Sequence, residues 1–422
     1  MLDTAPSMEG IVNGLMDEFT EQWWACDTDF PDLGPAYTPA QQRQREKDLE
    51  RYLDELYAQL RRKPLNSETA EERQERFESL VVHIFMSALG LEKRHLDAVI
   101  GYGFKDAIAN FAEMARTFDD QISDEDIYQA ARNATSMNLM QVLLGIPMEV
   151  TPAVFAFSML YPYTDNYLDD PAIPASAKKR FNTWFRSRIE NQQTNPANQY
   201  ESKISDLIEL IENQYERARY PLVYDSLISI HEAQSLSIEL MRGKASPYEL
   251  DVLHTSLLKG GTSALADGYL VAGDLTPDQR RFMFYYGAFT QLMDDLEDVH
   301  GDREAGILTI FSQTAGRWPL DRITNKTIHF GGKVIETLDE FTAPGLEPLK
   351  EMLAIVFSPI LVDSASCAAR YFSRPYLNTL QAHYPFRFSF LKKQRKRFQR
   401  QQQSLKLLLE GLMMAALVPP GH

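Results

Sequence analysis

Apolar residues recur every three or four positions along most of the chain, which is the period of an α-helix with one buried face. After Thr38, for example, Leu49, Tyr52, Leu53 and Leu56 form one apolar stripe within a polar run. Alternation of apolar and polar residues with a period of two never extends beyond a few positions, so strand signals are weak. The pattern therefore predicts an all-α protein.

Three predicted helix starts share one local sequence: a hydroxyl residue, a proline, any residue, and then Gln or Glu. They are TPAQ at 38–41, SPYE at 246–249 and TPDQ at 276–279. The hydroxyl can accept hydrogen bonds from the free N–H groups of the first turn, where proline is well tolerated. The Gln or Glu side chain can reach back to the cap residue, so a helix is expected to begin at each place.

The chain has 422 residues, enough for one large domain or two ordinary ones. Polar segments at 27–38 and 191–200 resemble linkers, although the second need not separate domains. We expect an N-terminal helical portion over 1–120 to pack on a single large helical bundle over 121–400. Residues 401–422 then form a C-terminal tail.

The formal net charge of −16 disfavours binding to nucleic acid, whose phosphates would be repelled. The most apolar long stretch, 142–163, includes Glu149 and three prolines, which favours a core helix over a transmembrane segment. Cys26 and Cys367 are too few for a disulfide framework and have no metal-type spacing. Together with an N-terminus that lacks the pattern of a signal peptide, these features predict a soluble, cytoplasmic protein.

Two acidic clusters interrupt otherwise apolar helical stretches, at 165–170 (DNYLDD) and 294–302 (DDLEDVHGD). Carboxylates one helical turn apart repel, so each helix face is weakened unless a cation binds there. Magnesium takes oxygen ligands and is commonly held by one or two carboxylates together with substrate phosphates. The clusters therefore predict several Mg²⁺ ions, bridged by a diphosphate, between two acidic helices. Because 59 of the 422 residues are acidic, a solvated surface charge is the competing interpretation.

Both clusters resemble motifs of the class I isoprenoid synthase superfamily. The second cluster resembles the metal-binding motif of terpene cyclases, and DDLEDVHGDRE is also similar to the D-x-LED-xxx-G-RE motif of squalene and phytoene synthases. The first cluster is similar to the aspartate-rich helix of terpene cyclases and to the DTLEDD motif of squalene synthases. This resemblance, over about 150–375, implies a helical bundle of that type, which ionises prenyl diphosphates with magnesium.

The resemblance also implies a set of site residues. The implied metal ligands are Asp165, Asp169, Asp170, Asp294, Asp295, Asp298 and Asp302. Of these, the ones expected to take part directly in catalysis are Asp165, Asp169, Asp294 and Asp298.

Cationic residues near these clusters are expected to contact the diphosphate. The segment 259–273, KGGTSALADGYLVAG, resembles the Lys-Thr helix of chain-elongating prenyltransferases, in which Lys259 and Thr262 would match. A packing segment of small residues is the alternative for this stretch. The Arg370–Tyr371 pair resembles one that closes over diphosphate in terpene cyclases, and Arg303 follows the second cluster directly.

His231, with Glu232 and Gln234, has apolar neighbours at helical spacing, so it could line a cavity and accept a proton. A hydrogen-bonded core histidine is the competing interpretation. Aromatic residues also flank the acidic clusters, and they either stabilise carbocations or form ordinary core. These aromatic residues are Phe155, Phe157, Tyr161, Tyr163, Tyr167, Phe284, Tyr285, Tyr286 and Phe289.

The function expected from these residues is that of a Mg²⁺-dependent terpene synthase acting on an allylic prenyl diphosphate. One alternative is a prenyltransferase that couples two prenyl diphosphates, of the squalene/phytoene or chain-elongating type. Another is a non-enzymatic helical interaction protein. The basic run at 392–403 is interpreted as a solvated helix end or as a peripheral contact with anionic lipid, and a homodimer stays open.

Overall fold

The computed structural model describes residues 6–61, 70–169, 172–192, 194–238, 240, 246 and 249–400. These residues form helices and contain no β-strand, which confirms the predicted all-α class. The α-helices are α1 (Met8–Ala25), α2 (Pro39–Arg61), α3 (Ala70–Leu89), α4 (Lys93–Gly101), α5 (Phe104–Phe118), α6 (Asp124–Leu143), α7 (Pro152–Asp169), α8 (Ala175–Ile189), α9 (Gln199–Gln214), α10 (Pro221–Ser237), α11 (Val252–Ala272), α12 (Pro277–Glu297), α13 (Val299–Ala305), α14 (Ile310–Thr314), α15 (Asp321–Glu336), α16 (Glu347–Cys367), α17 (Arg374–Ala382) and α18 (Phe388–Arg400).

Two of the three predicted helix starts are confirmed. At α2, Gln41 N donates to Thr38 Oγ1 at 3.2 Å while Thr38 N donates to Gln41 Oε1 at 2.8 Å. The same reciprocal pair joins Thr276 and Gln279 at α12. The third prediction, at 246–249, falls partly outside the described residues, and α11 begins only at Val252.

The chain forms two compact units, each built from separate stretches. The first unit comprises the described part of Met1–Trp24, Gly103–Gln291 and Thr337–Pro344. The second comprises Ala25–Tyr102, Leu292–Glu336 and the described part of the chain from Gly345 onward. This division does not follow chain order, and the boundary at residue 120 stays a prediction.

The core of the first unit surrounds α11, which packs against α6, α7 and α10. Most residues of α11 are buried, including its three glycines. A Cβ atom on Gly260 would lie 2.3 Å from the Gly287 carbonyl oxygen, and one on Gly261 would lie 2.5 Å from the Phe284 ring. The small residues of α11 therefore let its backbone approach α12, which supports the packing interpretation of this segment.

In the second unit, α2 and α18 are joined by ion pairs along their length. Acidic residues of α2 pair with basic residues at the start of α18 and along it: Glu46 with Arg387, Glu50 with Lys393, and Asp54 with Arg397. Arg395 pairs with Asp363 of α16 at 2.8 Å. The run therefore has a packing side with half-buried Arg395 and Arg397, and a solvated side, as the sequence predicted, with exposed Lys392, Lys393 and Lys396. Residues 401–403 of the run lie outside the described residues.

The apolar stretch 142–163 contains the end of α6, a connection and most of α7, in place of one continuous core helix. Pro152 is the first residue of α7, where its missing N–H costs no hydrogen bond. Among the described helices, none has the length and apolar character needed to cross a membrane.

Candidate functional site

The first acidic cluster lies at the C-terminal end of α7, in the first unit. Asp165 is half-buried, and the Thr164 hydroxyl lies 3.3 Å from its Oδ1 while also donating to the Leu160 carbonyl at 2.8 Å. Asp169 is the last residue of the helix. Asp170 lies outside the described residues, so its predicted role stays a prediction.

Buried polar contacts set the direction in which α7 and α11 pack. The hydroxyls of Tyr161 and Ser263 are 2.7 Å apart. Ser158 lies three residues before Tyr161 in α7. Asn133 of α6 donates to both Ser158 Oγ (3.2 Å) and Asp267 Oδ1 of α11 (3.3 Å), and so connects these two residues. Because an earlier residue of α7 meets a later residue of α11, the two helices run antiparallel. Burial raises the pKa of Asp267 to about 7.

This register places Lys259 and Asp165 toward the same end of the helix pair. Lys259 is one turn before Ser263, and Asp165 is one turn after Tyr161. The Lys259 side chain is half-buried and has no ion pair with the residues that the structure describes. Thr262, in contrast, is buried, and its hydroxyl donates to the Leu258 carbonyl at 2.7 Å. The hydroxyl proton is therefore engaged within the helix.

An apolar hollow lies among α7, α8, α9 and α10, beginning one turn before Asp165. Its cavity volume is about 30 Å³, which is room for about one water molecule. Its lining includes Phe157, Tyr161 and Thr164 from α7, Phe185 from α8, Ile208 from α9 and His231 from α10. The lining is mainly apolar with a few polar groups, but the volume is well below the roughly 300–1,000 Å³ of a typical ligand pocket.

The aromatic residues near the clusters divide into three groups. Phe157 and Tyr161 line the hollow. Tyr163 and Tyr167 face a separate polar cleft of about 660 Å³, where Asp119 accepts hydrogen bonds from Tyr163 and Lys203. Four of the others are buried core residues: Phe155, Phe284, Tyr285 and Phe289. Most of these aromatic residues are therefore not part of the hollow.

The second acidic cluster spans the junction between α12 and α13, in the second unit. The backbone hydrogen bonds continue across it, because Asp298 N donates to Asp294 O and Asp302 N donates to Asp298 O, both at 2.9 Å. Asp294 and Asp298 are exposed and Asp302 is half-buried. Asp295 is 6% exposed and therefore lies on the opposite, buried side. The carboxylates with access to solvent thus occupy every fourth position.

Beside α13, the two arginines predicted to contact diphosphate meet at one tyrosine. The Cζ atoms of Arg303 and Arg370 lie 5.4 and 5.1 Å from the centre of the Tyr371 ring, within the range of cation–π attraction. His300 joins them, with Nε2 3.3 Å from the Arg370 guanidinium and Nδ1 3.4 Å from the Tyr371 hydroxyl. The sequence did not single out His300, although it lies within the acidic motif itself.

The donor set fits magnesium in kind. Among the described residues, no three His, Cys, Asp or Glu side chains converge closely enough to form a complete metal site. Magnesium rarely uses such an all-protein cage, since one or two carboxylates with water and substrate phosphates are its usual ligands. Outward carboxylates at Asp294, Asp298 and Asp302 supply ligands of this type.

The predicted site residues are thus grouped within each unit. In the second unit, Arg303, Arg370 and Tyr371 come together beside α13, and in the first unit Lys259 and Asp165 lie toward one end of α7 and α11. No family model matches the chain, and neither a curated protein nor a solved structure matches it. The chemistry of these groups is therefore inferred from their own residues.

Proposed function

We propose that the protein is a Mg²⁺-dependent isoprenoid synthase that ionises an allylic prenyl diphosphate, then cyclises or rearranges the carbocation and releases diphosphate. The observation that carries this proposal is the meeting of Arg303 and Arg370 at Tyr371, beside the helix that contains Asp302. Guanidinium groups bind phosphate oxygens, and carboxylates bind the metal that accompanies them. A site for a metal-bound diphosphate needs both kinds of group side by side.

The residues of the second unit that would hold magnesium are Asp294, Asp298 and Asp302. In the first unit, Asp165 is the corresponding residue, and the predicted role of Asp169, whose side chain lies outside the described part of the structure, stays a prediction. When bound, magnesium supplies positive charge that offsets the negative charge developing on a departing diphosphate. The prediction that the two acidic clusters act jointly stays a prediction.

The two arginines would bind and orient the diphosphate. The planar guanidinium presents parallel N–H donors that match two phosphate oxygens, which a lysine ammonium does not. The Tyr371 ring lies against both guanidiniums and thereby limits the directions in which they point. The contact of Lys259, in the first unit, with diphosphate stays a prediction.

The first unit contains an apolar hollow lined mainly by aliphatic and aromatic side chains, whose volume of about 30 Å³ does not hold a prenyl chain. The expected stabilisation of a carbocation by the ring faces of Phe157 and Tyr161 therefore stays a prediction. Burial raises the pKa of Tyr161 far above its usual value, so this phenol stays neutral and does not act as an anion.

Pyrophosphate release tests the proposal most directly. The full chain should release pyrophosphate from at least one C10 to C25 allylic prenyl diphosphate when Mg²⁺ is present, and not when a chelator replaces it. Gas chromatography and mass spectrometry of the extracts would identify a terpene product. Release from a single allylic diphosphate would favour a terpene synthase, whereas a requirement for a second prenyl unit would favour coupling. If no prenyl diphosphate is consumed with Mg²⁺, the proposal is wrong.

A further inference from the structure

The turn at 315–318 contacts Arg303, one of the two arginines proposed to bind diphosphate. A Cβ atom on Gly316 would lie 2.8 Å from Nη1 of Arg303, 3.1 Å from Nη2 and 3.2 Å from Cζ. The end of the guanidinium therefore occupies the space that a side chain at residue 316 would fill. Both residues belong to the second unit.

Tyr371 takes part in the same arrangement. Its ring centre lies 5.4 Å from Cζ of Arg303, and its carbonyl accepts a hydrogen bond from the backbone N–H of Leu320 at 3.1 Å. The turn and the aromatic ring that face Arg303 are thus linked through the backbone. Ala315 begins the turn and Leu320 follows it closely, and both are fully buried. The turn is therefore anchored on each side of Gly316.

Gly316 also has a φ of +80°, a backbone conformation that glycine adopts more readily than any other residue. This conformation alone would account for a glycine in a turn, and it is the competing interpretation. Gly90, in the same unit, separates the two reasons for a glycine. Its φ is +73°, but a Cβ atom there would meet nothing within 4 Å. Positive φ therefore does not by itself require a close neighbour, and the contact with Arg303 is a second property of Gly316.

We propose that Gly316 is a positioning residue for Arg303. Because it has no side chain, the guanidinium can lie against the turn and near the Tyr371 ring at once. These two neighbours then set the direction in which its N–H groups meet a diphosphate. The inference rests on the proposed function for the identity of this anion. Paired N–H donors must match two phosphate oxygens, so their placement affects how strongly the anion binds.

An alanine at position 316 should act on Arg303 more than on the fold. The guanidinium is the end of a flexible side chain and can move away from a new methyl group, whereas the turn is anchored. Ordinary van der Waals contact begins at 3.4 Å, so Nη1 would have to move by about 0.6 Å or more. A misplacement of about 1 Å can cost about 100-fold in a catalytic site, so a shift of this size should be measurable.

Isothermal titration calorimetry with inorganic pyrophosphate and Mg²⁺ would test the proposal on the full chain. The variants are Gly316→Ala, Arg303→Ala, the double variant with both changes, and Gly90→Ala as the matched control for backbone strain. Gly316→Asn is a further variant, because asparagine adopts positive φ more readily than alanine but still adds a Cβ atom. Circular dichroism and thermal unfolding check each fold.

Arg303→Ala should weaken pyrophosphate binding at least about tenfold, because its charged hydrogen bonds are lost. Gly316→Ala and Gly316→Asn should each weaken it at least about fivefold, since the same donors are displaced. Gly90→Ala should stay within about twofold of the wild type, although it carries similar backbone strain. In the Arg303→Ala protein, the change at Gly316 should have no further effect, because the group through which it acts is absent.

The contrary outcomes are distinct. If folded Gly316 variants bind pyrophosphate as Gly90→Ala does, Gly316 is only a turn residue and the inference is overturned. Equal weakening by Gly316→Ala with and without Arg303 would also overturn it, because the effect would not pass through the arginine. A wild-type protein that binds no pyrophosphate with Mg²⁺ would do the same. A wild-type protein that binds pyrophosphate but releases none from any prenyl diphosphate would contradict the proposed function alone, since the binding results decide this inference.

Discussion

Gly260 of α11 and Gly287 of α12 face each other, and a Cβ atom on Gly287 would lie 2.1 Å from the Gly260 carbonyl oxygen. No real Cβ atom approaches a backbone oxygen so closely. The two helix backbones can therefore come this near only because neither residue has a side chain. Because both neighbours are backbone atoms, no side-chain rotation can relieve a clash there. The contact therefore fixes how near α11, which carries Lys259, comes to α12.

Gly260→Ala should lower the free energy of unfolding by about 2 kcal/mol or more, because overpacking a tight site costs about 1–3 kcal/mol and this one cannot yield by rotating a side chain. Urea unfolding followed by circular dichroism would measure the loss. Gly332→Ala in α15 is the matched control, since an added Cβ there meets nothing within 4 Å. The control should be neutral or stabilising by up to about 1 kcal/mol. Equal effects at both positions would contradict the close helix contact.

Asp298→Asn should abolish most activity while the fold stays intact. Asp298 is at the N-cap of α13, yet its side chain makes no capping hydrogen bond, so replacing it removes no helix-stabilising contact. Relief of repulsion within the cluster should offset any small loss, which keeps the stability within about 0.5 kcal/mol. Pyrophosphate release should fall at least about 100-fold, since a metal ion contributes several kcal/mol to charge stabilisation.

Asp29→Asn provides the control for this change, because Asp29 is an exposed acid of the second unit outside the cluster. It should retain wild-type activity. A folded Asp298→Asn protein with unchanged pyrophosphate release would show that this carboxylate holds no catalytic metal.

Arg370→Lys should lower kcat/KM by about 10- to 100-fold, because a charged hydrogen bond contributes about 1.5–3 kcal/mol and lysine lacks the paired donors of arginine. Tyr371→Phe should cost less, about threefold, since the ring that faces both guanidiniums is kept. Steady-state assays of pyrophosphate release would separate the two effects. Arg374→Lys, at a nearby exposed arginine, should behave as wild type. If Arg370→Lys also keeps the wild-type kcat/KM, Arg370 does not bind diphosphate.

Glu46→Gln should destabilise the second unit by about 2–4 kcal/mol. Glu46 is 4% exposed and accepts hydrogen bonds from the backbone N–H (2.8 Å) and the guanidinium of Arg387. Breaking a fully buried ion pair costs about 3–5 kcal/mol, and the 41% exposure of Arg387 reduces this figure. Glu50→Gln is the matched change, and it should cost less than about 1 kcal/mol because its partner Lys393 is 63% exposed. Chemical unfolding would measure both changes. Equal losses in the free energy of unfolding would contradict the expectation that the buried Glu46 pair contributes more than the exposed Glu50 pair.

The stability of the first unit should depend on pH through Asp267. Its pKa is raised by burial from 3.8 to about 7, so between these values the folded protein binds more protons than the unfolded chain. The contribution of Asp267 to stability is therefore most favourable below pH 4, falls as the pH rises to about 7, and then stays constant. Asp267→Asn keeps an oxygen acceptor for Asn133 and should remove this dependence.

Unfolding measured from pH 4 to pH 8 would test this expectation. The stability of Asp267→Asn relative to the wild type should increase steadily across the range and level off near pH 7. A constant difference between the two proteins would mean that Asp267 titrates normally in the folded state.

The helical class and two of the three capping motifs could be predicted because they depend on neighbours within one or two turns. The same holds for the acidic clusters, whose spacing along a helix is a local property. The meeting of Arg303 with Tyr371 could be expected only through resemblance, since nothing local links residues so distant in the chain. His300 was missed for that reason, because its contacts with Arg370 and Tyr371 arise only from the packing of the second unit.

The basic run shows the same limit. Lys393 is exposed as the sequence predicted, but the ion pairs of Lys393 with Glu50 and of Arg397 with Asp54 could not be predicted, because these acidic partners lie more than 300 residues earlier. The buried hydrogen bond from Asn133 to Asp267 could not be predicted either, because the two residues lie on different helices. In these cases the decisive interaction is tertiary, and helix periodicity carries no information about the identity of the partner.

The way the chain alternates between the two units has a consequence for its synthesis. The first unit receives its last segment only with Thr337–Pro344, and the second needs α18 as well. Helix α1 leaves the ribosome before Tyr285, whose ring packs against that of Phe19 with the ring centres 5.3 Å apart. Until Tyr285 has been made, the apolar face of α1 lacks part of its native cover, and we expect the nascent chain to depend on chaperones that shield such surfaces.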